Sequence, residues 1–124
     1  HTAYRRQRQM CIRDRSYMFR NQIGNLAIAP LKSFNKNLAL DYDIYPDVEK
    51  CWGYGLIINK EPIPKKREAG SGSWAGVLNT YFWIDPKSDM AGVFLAQMLP
   101  CYSPNILNAV DSFEELAYER LIRN

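Results

Sequence analysis

Apolar and polar positions follow different rules in successive stretches of the chain. Between residues 16 and 40 a scatter of Phe, Ile and Leu is broken by Asn21, Gly24, Asn25 and Pro30, which predicts the end of a helix followed by a long surface connection. Residues 41–50 alternate polar and apolar until Pro46 interrupts them, so they predict at most a short edge strand. Residues 52–59, aromatic and β-branched with two glycines, predict the first firm strand, the glycines marking close backbone approach or a bulge. Residues 61–68 read as a Pro-rich, charged, solvated turn, and residues 69–76 are rich in Gly and Ser. Residues 77–84 predict a second strand, the Asp85-Pro86 turn closes it, and residues 91–99 predict a third. The largely continuous apolar run of that third strand implies burial on both faces. Two strands joined by a short turn predict an antiparallel hairpin.

The period changes after Ser103-Pro104, a hydroxyl at the N-cap position with proline in the first turn. Ile106, Val110, Phe113, Ala117 and Leu121 recur at helical spacing, while Asp111, Glu114, Glu115, Glu119 and Arg123 fall elsewhere. Burying five such side chains contributes about 1.5–3 kcal/mol each before entropy is counted, and a sheet with one apolar face is the natural partner. The expected fold class is α+β, an antiparallel sheet of three to four strands covered by a C-terminal helix.

A chain of 124 residues holds one domain, and 47% hydrophobic with 23% charged residues is an ordinary globular composition. No apolar run reaches the roughly 18 residues that span a bilayer, so no membrane segment is expected. The net charge of +3 changes meaning once it is located. Arg5, Arg6, Arg8, Arg13 and Arg15 stand against Asp14 alone in residues 1–15, whereas the remaining 11 basic and 12 acidic groups leave residues 16–124 slightly negative. Without a basic face no nucleic-acid partner is expected. Residues 1–15 lack periodicity, resemble a translated sequencing-adapter remnant, and are taken as a non-native or disordered tail ahead of a domain at residues 16–124. Cys11, Cys51 and Cys101 form no pair motif, and His1 is the single histidine. The credible domain therefore has no histidine for a Ser-His-Asp triad, a Cys-His pair or a histidine zinc site, and neither metal nor cofactor is expected.

The order of strand, Ser71-Gly-Ser-Trp-Ala-Gly76, strand, Asp-Pro turn, buried strand and terminal helix resembles the end of the β-lactamase and penicillin-binding-protein class of serine hydrolases. The likeness spans residues 16–124 and is most specific at residues 72–86 and 91–100. Trp74-Ala75-Gly76 matches the W-x-G triplet that esterase-like members carry where β-lactamases have K-T-G. The resemblance implies that this strand edges the active site, with Ser73, Trp74, Ala75 and Gly76 binding substrate and supplying one oxyanion-hole N–H. Small residues at 75 and 76 permit close approach, and Trp74 in place of a lysine offers an apolar wall suited to uncharged acyl groups. The family's S-x-x-K and Tyr groups are expected upstream, in a missing N-terminal part of the same protein. Ser33-Phe-Asn-Lys36 fits S-x-x-K literally but sits in a polar stretch after Pro30 rather than at the head of a buried helix, and is rejected. No tyrosine is followed two places later by Asn. Tyr81-Phe-Trp83 reads as core and Asp85 as a turn residue, while the strand face taken by Tyr54 and Asn79 stays open.

The expected function is thus a fragment of a serine hydrolase that acts on a small ester, amide or β-lactam substrate through an acyl-enzyme, inactive alone because its nucleophile is missing. The alternative is a small non-catalytic interaction domain that uses the 61–64 segment or the aromatic strand. The pattern does not assign a cellular compartment.

Overall fold

A computed structural model describes residues 11–122. Residues 11–18 are helical and residues 19–49 run irregularly, tied down by a bridge between Leu31 and Tyr42 and another between Ala39 and Cys101. Five strands follow: β1 (Lys50–Trp52), β2 (Ile57–Asn59), β3 (Gly72–Gly76), β4 (Thr80–Asp85) and β5 (Met90–Phe94). They form one antiparallel meander in chain order, and the C-terminal helix (Pro104–Ile122) crosses it. The α+β arrangement matches expectation, with five strands where three to four were expected.

The additional strands come from residues 50–59, which form a hairpin rather than one strand: Trp52 pairs with Ile57, and the Gly53 N–H donates to the Leu56 carbonyl across the turn. Gly55 at φ 74° supplies the left-handed residue of that turn. Gly53 is required for a different reason, since a Cβ there would lie 2.1 Å from the Met18 carbonyl oxygen. Residues 41–50 contribute a lone bridge at Tyr42 and the first residue of β1 rather than an edge strand of their own.

The β3–β4 and β4–β5 hairpins place the alternation as expected, with Tyr81, Trp83 and Asp85 buried between half-exposed neighbours. Residues 77–79, expected to open the second strand, are the turn, and Asn79 takes φ 63° to close it. β5 departs from its apolar reading. It ends at Phe94, and Ala91 and Val93 are exposed, because β5 is the edge of the sheet and only its helix-side residues are covered.

Register separates two sheet faces. Ile57, Ser73, Trp83 and Gly92 share a cross-strand row, and Ala75, Tyr81 and Phe94 the next, on the helix side. Gly72, Phe82 and Ile84 belong to the opposite side, where Cys51, Leu56, Ile58 and Phe82 pack with Phe19 and Ile23. The helix begins at Pro104 as expected, with Ile106 and Leu107 N–H groups bonded to the Ser103 carbonyl. The Ser103 hydroxyl, expected to cap the helix, is buried without a hydrogen-bond partner among the described residues. The covered stripe runs Leu107, Val110, Glu114 and Tyr118, rotated about 70° from the predicted one, so that Phe113 is 40% exposed while its ring meets Trp83 edge-on at 5.5 Å. The side chain of Leu121 lies outside the described residues.

Candidate functional site

Trp74, Ala75 and Gly76 stand on β3, not in a flexible loop. β2 reaches only as far as Ile57, opposite Ser73, so beyond Ser73 the outer side of β3 has no strand partner among the described residues. Strand geometry then fixes which groups face that opening. The Ser71 carbonyl accepts from the Asn59 N–H and therefore points toward β2, and the Gly76 carbonyl accepts from Asn79 on the β4 side. Main-chain groups alternate along a strand, so Ser73 and Ala75 turn toward the β2 side and Gly72, Trp74 and Gly76 toward β4. The Ala75 N–H faces the open edge.

Where β2 ends, two indoles close the corner: Trp52 meets Trp74 edge-on with centroids 4.7 Å apart. The sequence did not single out Trp52, whose link to Trp74 depends on the hairpin at residues 53–56. Tyr54, in that hairpin turn, is 58% exposed. Gly72 is needed at the start of β3, since a Cβ there would sit 2.9 Å from side-chain atoms of both Leu56 and Phe19.

The far end of β3 is fastened by Asn79, which is fully buried. Its amide donates to the carbonyls of Met98 and Pro100 at 2.9 and 2.8 Å, and its Oδ1 accepts from the Tyr102 N–H and the Tyr81 hydroxyl. The Cys101 thiol also lies 3.4 Å from the Gly76 carbonyl. Asn79 is therefore an anchor rather than a pocket residue. Asp85 is likewise structural. Buried at the β4–β5 turn, it accepts from the N–H groups of Glu68, Lys87 and Ser88 and from the Tyr118 hydroxyl. Burial pushes its carboxyl upward, and these hydrogen bonds more than offset that, so its pKa stays below the ordinary value.

The helix side of the sheet carries a cluster that the sequence reading placed in solvent. Arg67, from the segment read as a solvated turn, is buried, and Nε and Nη2 donate to the two oxygens of fully buried Glu114 at 2.6 and 2.8 Å. Tyr45 joins both partners through its hydroxyl. Ile63 of the same segment is buried as well. The signal was the position of Glu114 midway between Val110 and Tyr118 at four-residue spacing, outweighed by its charge. Ser33 and Lys36 stay in the irregular region, where Ser33 Oγ donates to the Asn35 carbonyl and Lys36 pairs with Asp41. Cys51 and Cys101 are buried free thiols, as expected, and Cys11 is exposed. Among the described residues no helix is long and apolar enough to cross a membrane.

No family model and no curated protein matches the chain. Solved structures do. The LovD6 mutant of simvastatin synthase (LovD) from Aspergillus terreus aligns with a TM-score of 0.61 at 25% identity, covering 62% of this chain and 20% of that one. The unliganded selenomethionyl derivative of the same enzyme gives 0.58 at 27% identity over 59% and 19%. The unliganded enzyme gives 0.60 at 25% identity over 62% and 20%. The chain thus spans about a fifth of the length of the structures it matches. The sheet and terminal helix are part of a β-lactamase-like fold.

Proposed function

We propose that Ser73–Gly76 is the oxyanion and substrate strand of a serine hydrolase or acyltransferase related to the β-lactamases, acting on ester, amide or lactam carbonyls, with its Ser-Lys and Tyr groups on an upstream part of the same protein. The observation that carries this reading is the unpaired edge of β3. An acyl carbonyl docking there accepts from the Ala75 N–H, and the negative charge that develops on its oxygen as the carbonyl becomes tetrahedral strengthens that bond. The acyl group would lie against Trp74, braced by Trp52, a wall without a cation and therefore suited to uncharged groups. Simvastatin synthase, by its name an enzyme that makes simvastatin, carries this fold over the matched part and so is a precedent for an enzyme built on it.

The test begins with the coding region upstream of Ser16, which should contain an S-x-x-K followed by a tyrosine motif. In the resulting longer enzyme, Ala75→Pro removes one outward N–H without taking a bond from β4. A fall in kcat of about 10²–10³ on a p-nitrophenyl ester with nearly unchanged KM is expected. Unchanged kcat in a folded variant, or an upstream region without S-x-x-K, overturns the assignment.

A further inference from the structure

Behind β3, between the sheet and the C-terminal helix, lies a cavity of about 190 Å³ whose walls include Tyr42, Tyr45, Ser73, Tyr81, Trp83 and Leu107. Trp74, Ala75 and Phe82 also contribute to its lining, so it adjoins the strand proposed to meet the acyl group, but ligand binding in it does not depend on that reading. An apolar cavity of about 150 Å³ accommodates benzene, so the volume suits one six-membered ring with a small substituent.

The walls are held in place before any ligand arrives. Tyr42 stacks on Tyr102 with centroids 4.6 Å apart and planes 17° from parallel. The Tyr45 hydroxyl is fixed by Arg67 and Glu114, and that of Tyr81 by Asn79. Aromatic surfaces already fixed lose little entropy on binding. Charges around the cavity are paired off, Arg67 with Glu114 and Lys66 with Asp111, which leaves no net charge to attract an ion. The polar wall groups that remain include the Tyr42 hydroxyl, Ser73 Oγ and the Asn108 amide. The Tyr42 hydroxyl and Ser73 Oγ belong to wall residues, make no hydrogen bond among the described residues, and are not among the sealed, unpartnered atoms. Each can donate or accept. A few free polar groups in an aromatic, preformed cavity is the ordinary constitution of a small-ligand site.

We propose that this cavity binds a neutral, single-ring aromatic molecule carrying one hydroxyl, with the ring between the tyrosines and Trp83 and the hydroxyl bonded to Tyr42 or Ser73. Tyr42 keeps its proton to serve this role, since burial pushes its pKa up to about 12.

Saturation-transfer NMR on the 124-residue chain, with phenol as the probe, tests the site. Saturable transfer with a Kd of about 1 mM or tighter is expected. Tyr42→Phe should weaken phenol about threefold to tenfold, one hydrogen bond's worth, and leave toluene unaffected. Leu107→Trp, which fills the cavity with an indole, should abolish transfer to both. Absence of saturation with the original chain overturns the proposal, as does transfer that survives Leu107→Trp in a variant whose circular dichroism is unchanged. Equal loss of phenol and toluene in Tyr42→Phe removes the hydroxyl-specific part and overturns the proposal as stated.

Discussion

Glu114 is the most consequential side chain of the C-terminal helix, because it is fully buried and both of its oxygens accept hydrogen bonds from Arg67. Burial works against the Arg67 charge, yet the bond it donates to Glu114 holds its pKa above the ordinary value. Removing one partner strands the other, so Glu114→Gln is expected to cost about 3–5 kcal/mol in urea unfolding, whereas replacing both by Met and Leu should cost much less. A double-mutant cycle distinguishes this from a simple loss of packing. Asp85 predicts a pH dependence of definite sign. Its pKa is lower folded than the ordinary 3.8, so the unfolded chain binds the proton more readily. Its contribution is complete above that value and is lost as pH falls through the lower folded one. Asp85→Asn should therefore flatten the decline in unfolding free energy as pH falls below about 4, leaving the share due to Asp41, whose pKa is lowered to about 2 by Lys36. Asp85 was legible as a turn residue from the Asp-Pro pair. Glu114 and Arg67 were not, since a charge reads as exposed unless its partner is known, and the two are far apart in sequence.

Among the elements, β4 was the most legible because Tyr81-Phe82-Trp83-Ile84 is an aromatic and β-branched run closed by the Asp85-Pro86 turn. The hairpin inside residues 50–59 was hidden because Gly53 and Gly55, interleaved with aromatic and β-branched residues, also suit a bulge or close approach within one strand, and no Asp or Asn marks the turn. The W-x-G triplet was legible as a motif, but the open edge beside it depends on how short β2 is, a tertiary property. Pairing of Trp83 with Gly92 explains a glycine in the middle of β5: a Cβ there would lie 2.0 Å from the indole. Since Trp83 is 1% exposed and pinned by Phe113, it cannot yield easily. Gly92→Ala is expected to destabilise by about 1–3 kcal/mol by overpacking, read from the urea midpoint, with a compensating gain when Trp83 is changed to Phe in the same chain.

For the whole molecule, the meander leaves β5 unpaired on one side among the described residues, and Val93 and Leu95 beside that edge are 59% and 76% exposed. The edge carries no lysine or proline to discourage pairing, and Leu116 on the helix adds further apolar surface. The 124-residue chain should therefore associate with rising concentration in sedimentation velocity, and Val93→Lys should shift it toward monomer. Matching a fifth of a longer fold is consistent with such surfaces being covered elsewhere.

Asn79 joins the β3–β4 turn to the segment leading into the helix through four hydrogen bonds, while the Trp74 side chain is held by contact with Trp52 alone among aromatic neighbours. The part of the strand that sets its position and the part proposed to meet an acyl group are thus separable. Residue 74 can be diversified in search of new acyl preferences while the frame keeps its place, which makes that single codon the natural starting point for redesigning the wall.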